Sequence, residues 1–207
     1  MTKTVLCFGD SNTWGCVPVT FERYPKDIRY PGVLAQELGS EYDVISEGLN
    51  DRTTVFFDLV RPNRCGIKHL EPILLSHLPL DYLVLNLGSN DTKVIYQASA
   101  EEIGIGLGNM INKAKQVFLS QNSDAKIIIL APVPLKAMPE NFMMDITSEN
   151  KAARLAEVYK PIADLHGCSF LDLGAITSDL GEDGVHLNPG AHKAIGKALA
   201  ELILNNS

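Results

Sequence analysis

The chain has 207 residues, 45% of them apolar, with a formal net charge of −7 and a pI near 5.2. A chain of this length fits one domain, residues 1–207, that buries roughly 70% of its unfolded surface; the acidic balance, with no local run of Lys and Arg, argues against nucleic acid as a partner. No apolar run reaches the ~20 residues that cross a bilayer, and a first strand so close to Met1 leaves no room for a secretory signal, so a soluble, cytoplasmic chain with no membrane partner is expected. Cys7, Cys16, Cys65 and Cys168 lack paired spacing, which fits reduced thiols in that compartment.

The first strand is the apolar run 4–8, closed by Gly9 and followed by Asp10-Ser11-Asn12-Thr13-Trp14-Gly15. After a polar connection holding Pro18 and Pro25, a helix is predicted over 31–38 with Gly39 as its stop. A second strand over 42–46 runs into the polar turn 47–54, and residues 58–66 read as loop. A short helix over 69–77 precedes the third strand, 82–87, which ends in Gly88-Ser89-Asn90-Asp91. Ser99 and Glu102 have the spacing of a capping box, opening a helix to about 121. Gly104, Gly106 and Gly108 fall inside that helix, where they imply close helix packing, since a dinucleotide loop would follow a strand directly.

The fourth strand is 126–131; Pro132, Pro134 and Pro139 then keep the chain irregular to about 147. That loop carries Phe142, Met143 and Met144, apolar groups expected to cover something. A helix over 148–166, bent at Pro161, leads to a fifth strand over 169–173 and a loop over 174–187. Asn188 as cap and Pro189 in the first turn start a last helix, ending near 204. Strands without polar alternation, alternating with helices, predict an α/β fold of three layers, α/β/α, around a five-stranded parallel sheet. Turns after parallel strands gather at one sheet edge, so Ser11, Gly48, Asn90 and 183–186 are expected to converge.

Those segments hold the parts of an acyl-transfer site. A serine hydroxyl such as that of Ser11 becomes a nucleophile when a base takes its proton and a third group orients the base. Asp183 and His186, separated by two residues, supply both from one turn. Of the other histidines, His69 and His77 lie in or beside a helix, His166 ends one, and His192 is expected to face solvent from the last helix. The oxygen that becomes negative needs donors, each worth roughly 3–4 kcal/mol, for which the backbone amides of Ser11 and Gly48 and the side-chain amide of Asn90 are candidates. Two other readings stand beside this one. A metal-dependent phosphoesterase would use Asp10, Asn90, Asp91, Asp183 and His186, although one histidine is few for a two-metal site. A non-catalytic carbohydrate- or acyl-binding module would keep the fold without the reaction.

Gly9-Asp10-Ser11, Gly48, Gly88-x-Asn90-Asp91 and Asp183-x-x-His186 match, in type and order, the four blocks of the SGNH or GDSL-type hydrolases, and the chain resembles that family over nearly its whole length. With Thr13-Trp14-Gly15, Glu47-Gly48-Leu49, Arg52-Thr53-Thr54 and Thr92-Lys93 added, it is similar to the arylesterase and acyltransferase branch. The resemblance implies a flavodoxin-like fold, Ser11 as nucleophile, His186 as base, Asp183 as its partner, and an oxyanion hole of Ser11, Gly48 and Asn90. It implies hydrolysis of small aryl or short-chain acyl esters, with transfer of the acyl group to alcohols or peroxide, and neither cofactor nor metal. It also suggests a homo-oligomer, with 18–25 and 58–66 as contacts. Asn12 stands where the motif name has Leu and is expected to alter the acyl pocket. Trp14 is expected at the site mouth, excluding water from an acyl-enzyme together with Phe142, Met143 and Met144.

Overall fold

In the computed structural model, which describes residues 2–205, five strands form one parallel sheet. They are β1 (Lys3–Gly9), β2 (Tyr42–Gly48), β3 (Tyr82–Asn86), β4 (Lys126–Ala131) and β5 (Ser169–Asp172), in the order β2-β1-β3-β4-β5. Along β1, Leu6 and Phe8 enter one core cluster while Val5 and Cys7 enter another, and all four are fully buried. Apolar groups on both faces need helices on both faces, which is why these strands carry no polar alternation.

On one face, α3 (Gly66–His77), α4 (Ala100–Ser120) and α5 (Ile146–Leu165) cover the cluster built on Leu6, Phe8, Leu83 and Leu85. On the other, α2 (Tyr30–Leu38) and α7 (Pro189–Asn205) cover Val5, Cys7, Val84 and Ile128. Two one-turn helices, α1 (Ser11–Trp14) and α6 (Leu173–Ile176), follow β1 and β5. The capping box of Ser99 and Glu102 forms as the spacing requires. Helix α5 begins earlier than expected because Asp145 caps it, with its side chain accepting from Thr147 and Ser148 amides. Helix α3 likewise begins at Gly66, with Pro72 inside it.

Register puts the future site at one level. Gly9 pairs with Gly48 of β2 and with Asn86 of β3, so the carboxyl ends of the three neighbouring strands finish together. The segments after those ends therefore share one edge of the sheet.

Candidate active site

Asp10 follows β1 in extended conformation and caps α1, its carboxylate accepting from the Asn12 amide at 2.9 Å. Gly15, at φ 87°, stops the helix after one turn by donating to the Ser11 carbonyl, a backbone state that favours glycine. Ser11 is thereby held at the sheet edge with 6% of its surface exposed. From the far end of the chain, His186 brings Nε2 to 3.0 Å from Ser11 Oγ. Its Nδ1 lies 2.7 Å from Asp183 Oδ2, and the other Asp183 oxygen accepts from the backbone amides of Val185 and His186 at 3.0 and 2.9 Å. In the neutral ring, with Nδ1–H directed at the carboxylate, Nε2 is left to accept from the serine hydroxyl.

Burial would raise the Asp183 carboxyl, but hydrogen bonds from the His186 ring and from the His186 and Val185 amides outweigh it and hold the group well below the usual carboxylate range. Burial would conversely lower His186; the Asp183 carboxylate and the neighbouring Cys16 outweigh it and bring the imidazole up to about 9. The pair therefore favours an imidazolium once His186 has taken a proton, which is the electrostatic task of the third group.

The other side of the site is tied together by Arg52, itself 3% exposed. One guanidinium nitrogen donates to the Gly9 carbonyl at 2.8 Å and to the Glu47 carbonyl, while the fork lies 4.0 Å from the centre of the Phe8 ring. The Arg52 carbonyl accepts from the side-chain amide of Asn90 at 3.1 Å. A primary amide has two N–H groups, so this bond orients Asn90 and leaves a second donor. Thr54 donates through both its amide and its hydroxyl to Asp91. Burial pushes the carboxyls of Asp10 and Asp91 up to about 6, against the opposing bonds from Asn12 and Thr54 respectively, and pushes Arg52 down to about 10 despite Glu47 and Asp10 nearby.

Ser11, Asn90, Asp183 and His186 open onto one cavity of about 940 Å³, and Phe142, Met143 and Met144 line it as well. Within that trio, Met144 is packed with Leu135 and Ala152, whereas Phe142 is 93% exposed and forms a lip rather than a cover. A hollow of about 700 Å³ between Lys3, Tyr82 and Lys126, at the opposite sheet edge, contains none of these groups.

Four expectations need correction. Gly48 does not line the cavity: it closes β2 beneath α1, and a Cβ there would stand 2.1 Å from the Trp14 backbone nitrogen. Glycine is required there for space; Asn50 and Asp51, two and three residues on, are what reach the cavity, Asp51 at φ 65°. Trp14 is not at the mouth either, because its ring turns to the Arg23 guanidinium, 5.0 Å away. Asn12 does not shape the cavity; its side chain is hydrogen-bonded to Val185 and Leu187. His192 is fully buried, its Nδ1 accepting from the Tyr30 amide at 3.3 Å. It lies on the stripe of α7 that also buries Ile195, Gly196 and Leu199, an i, i+3, i+4 pattern that was readable.

Sequence reasoning missed Cys16, Val19 and Phe21, which line the cavity; Val19 and Phe21 come from the segment expected at a subunit contact. The Phe21 ring meets His186 edge-on at 6.0 Å between centroids, and the Val19 amide donates to Asp183 at 3.3 Å. Both residues hold positive φ, 67° for Val19 and 56° for Phe21, a conformation no residue type there advertises. Asp51 was missed as well; it pairs with the buried Lys93 at 2.6 Å and with Arg61 at 3.2 Å on the cavity wall. The carboxylates of Asp10 and Asp91, needed by a two-metal reading, are engaged elsewhere and do not line the cavity. Among the described residues no group of three or more His, Cys, Asp or Glu is arranged to hold a metal ion.

Comparison with known proteins places this geometry. The model of the GDSL-like lipase/acylhydrolase family matches residues 7–194. Est24, a carbohydrate acetylesterase from Sinorhizobium meliloti, superposes with a TM-score of 0.95 at 34% identity, covering 100% of both chains. The inhibitor-bound aryl esterase of M. smegmatis does so with a TM-score of 0.94 at 35% identity, covering 99% of each. No curated protein sequence matches significantly. With its family blocks at the ends of three strands and its serine, histidine and aspartate in line, the chain belongs to the GDSL-like lipase/acylhydrolase family and is an ester-bond hydrolase.

Proposed function

We propose that the chain is a serine esterase acting on small carboxylic esters, aryl or short-chain acyl, through an acyl-enzyme on Ser11. The observation that carries this reading is the continuous line from Ser11 Oγ through His186 to Asp183, at 3.0 and 2.7 Å, opening onto a cavity of about 940 Å³. The names of the relatives, a carbohydrate acetylesterase and an aryl esterase, support small acyl groups.

In this mechanism His186 Nε2 takes the Ser11 proton as Oγ attacks the carbonyl carbon. The resulting oxyanion is met by the Ser11 amide and the free N–H of Asn90, with the Asp51 amide in the place the sequence pattern gave to Gly48. The carbon–oxygen bond to the alcohol then breaks, and His186 returns its proton to the departing oxygen. Water, activated by the same imidazole, attacks the acyl-enzyme and releases the acid; an alcohol or peroxide entering instead gives acyl transfer. Cytoplasmic residence is part of the proposal, supported by four free cysteines. No helix among the described residues is long and apolar enough to cross a membrane.

The test is covalent. An alkyl phosphonate carrying a nitrophenyl leaving group is expected to label Ser11 with loss of phenyl acetate hydrolysis, and Ser11→Ala is expected to reduce turnover by on the order of 10⁶. Near-normal turnover of Ser11→Ala overturns the proposal. Absence of labelling in a folded protein favours a binding module, and chelator-sensitive hydrolysis of phenyl phosphate favours metal chemistry.

A further inference from the structure

Asn12 follows the nucleophile directly and departs from the family motif, yet its side chain does not face the cavity. It is 9% exposed and reaches across to the last loop of the chain. Its Nδ2 donates to the Val185 carbonyl at 3.3 Å, and its Oδ1 accepts from the Leu187 amide at 3.0 Å. Val185 and Leu187 are the two neighbours of His186. The amide thus grips the backbone on both sides of the imidazole, from the residue beside the hydroxyl that the imidazole serves.

Other bonds shape the loop internally or tie it to segments other than α1. Asp183 accepts from the Val185 and His186 amides, Gly181 donates to the His186 carbonyl at 2.8 Å, and Lys136 donates to the Gly184 carbonyl at 2.8 Å. Those fix the loop's form and hold it to the segment after β4, as the Val19 amide holds it to the stretch beyond α1, while the Asn12 pair ties the backbone on either side of His186 to α1 itself. A leucine in the same volume makes neither bond and leaves a carbonyl and an amide to find other partners.

We infer that Asn12 is a positioning residue that clamps the His186 segment to the nucleophile helix, fixing the distance and direction of Nε2 for both proton transfers. The inference rests on the triad reading given above. Proton return to the leaving oxygen is its sensitive point: an alkoxide leaves poorly without a proton, whereas a nitrophenolate leaves without one.

The experiment compares kcat/KM, which reports acylation, for ethyl acetate and for p-nitrophenyl acetate in the native protein, Asn12→Leu, Asn12→Asp and Ser11→Ala, with Tm measured for each. Asn12→Leu is expected to lose about tenfold more on the ethyl ester than on the nitrophenyl ester, with KM for the nitrophenyl ester little changed. Asn12→Asp keeps the acceptor for Leu187 but loses the donor to Val185, so its ratio is expected between the two; it decides the matter if the leucine variant does not fold. Equal losses on both esters, or none, overturn the clamp. Turnover retained in Ser11→Ala overturns the triad reading itself, while an inactive Ser11→Ala beside an unchanged ester ratio overturns the clamp alone.

Discussion

At the inner end of the cavity Ser11 and Asn90, with Asp10 and Arg52 behind them, are 1–6% exposed and tied into a hydrogen-bonded frame, whereas at the outer end Val19, Phe21 and Phe142 are 55–93% exposed. The inner groups are fixed by chain segments that meet only because β1, β2 and β3 end at one level. The outer groups project from loops and have little protein around them. A reaction needing donors and a base within tenths of an ångström belongs to the first kind of construction, and discrimination between acyl or alcohol groups belongs to the second. The inner frame should therefore respond to substitution through kcat, and the lip through substrate preference.

The sharpest way to break the frame is at Asp183. Asp183→Asn keeps the shape but removes the charge and permits the wrong imidazole tautomer, so kcat is expected to fall by on the order of 10⁴. The sign of the accompanying pH effect follows from the pair. His186 must be neutral to accept a proton, and with Asp183 present its imidazole is held up to about 9. Hydrolysis in the native protein should climb with pH until His186 has lost its proton near that value. Removing the carboxylate removes its raising effect, so the midpoint of the residual activity should move to lower pH. A midpoint that stays put, or moves upward, would show that Asp183 does not hold the imidazole in its charged state.

Arg52→Lys probes the other half of the frame with a smaller expected effect. The ammonium keeps the charge but lacks the planar guanidinium that lies over Phe8 while one of its nitrogens reaches both the Gly9 and Glu47 carbonyls. Since the loop that positions Asp51 and orients Asn90 would shift, kcat is expected to fall about 10- to 100-fold with little change in KM. Steady-state kinetics well below Tm separate this from lost stability, and a KM effect without a kcat effect would place Arg52 outside the frame.

How much of this was legible in the sequence follows the same division. The strands were legible because apolar runs ended by Gly9, Gly88 or Pro132 mark a parallel sheet whatever packs on it. Asp183 and His186 were legible because their pairing is local, needing one short turn. Gly48 shows where that kind of reading stops: its glycine identity was visible, but whether it provides a donor or merely room depends on α1 lying against it. Val19 and Phe21 gave no signal at all, because nothing in either residue type announces positive φ or a place beside His186. Asn12 was visible as a departure but its bonds cross 173 and 175 positions, a separation that no motif spans.

The weakest perturbation sharpens the comparison most. Phe142 is 93% exposed while Met144, two residues on, is 4% exposed and packed against Leu135 and Ala152, so the same loop is anchored at one point and free at the other. Phe142→Ala should change stability by less than about 0.5 kcal/mol, since it removes no buried contact. Phenyl acetate turnover should likewise stay within about twofold, because nothing in the inner frame moves. An ester with a longer acyl chain or a bulkier aryl group would cover the Phe142 ring on binding, and losing part of that apolar contact is expected to raise its KM by about 3- to 10-fold. If KM for the large and small esters changed by the same factor, the lip would have no part in selection; if kcat for the small ester fell with it, the lip and the frame would be one structure rather than two.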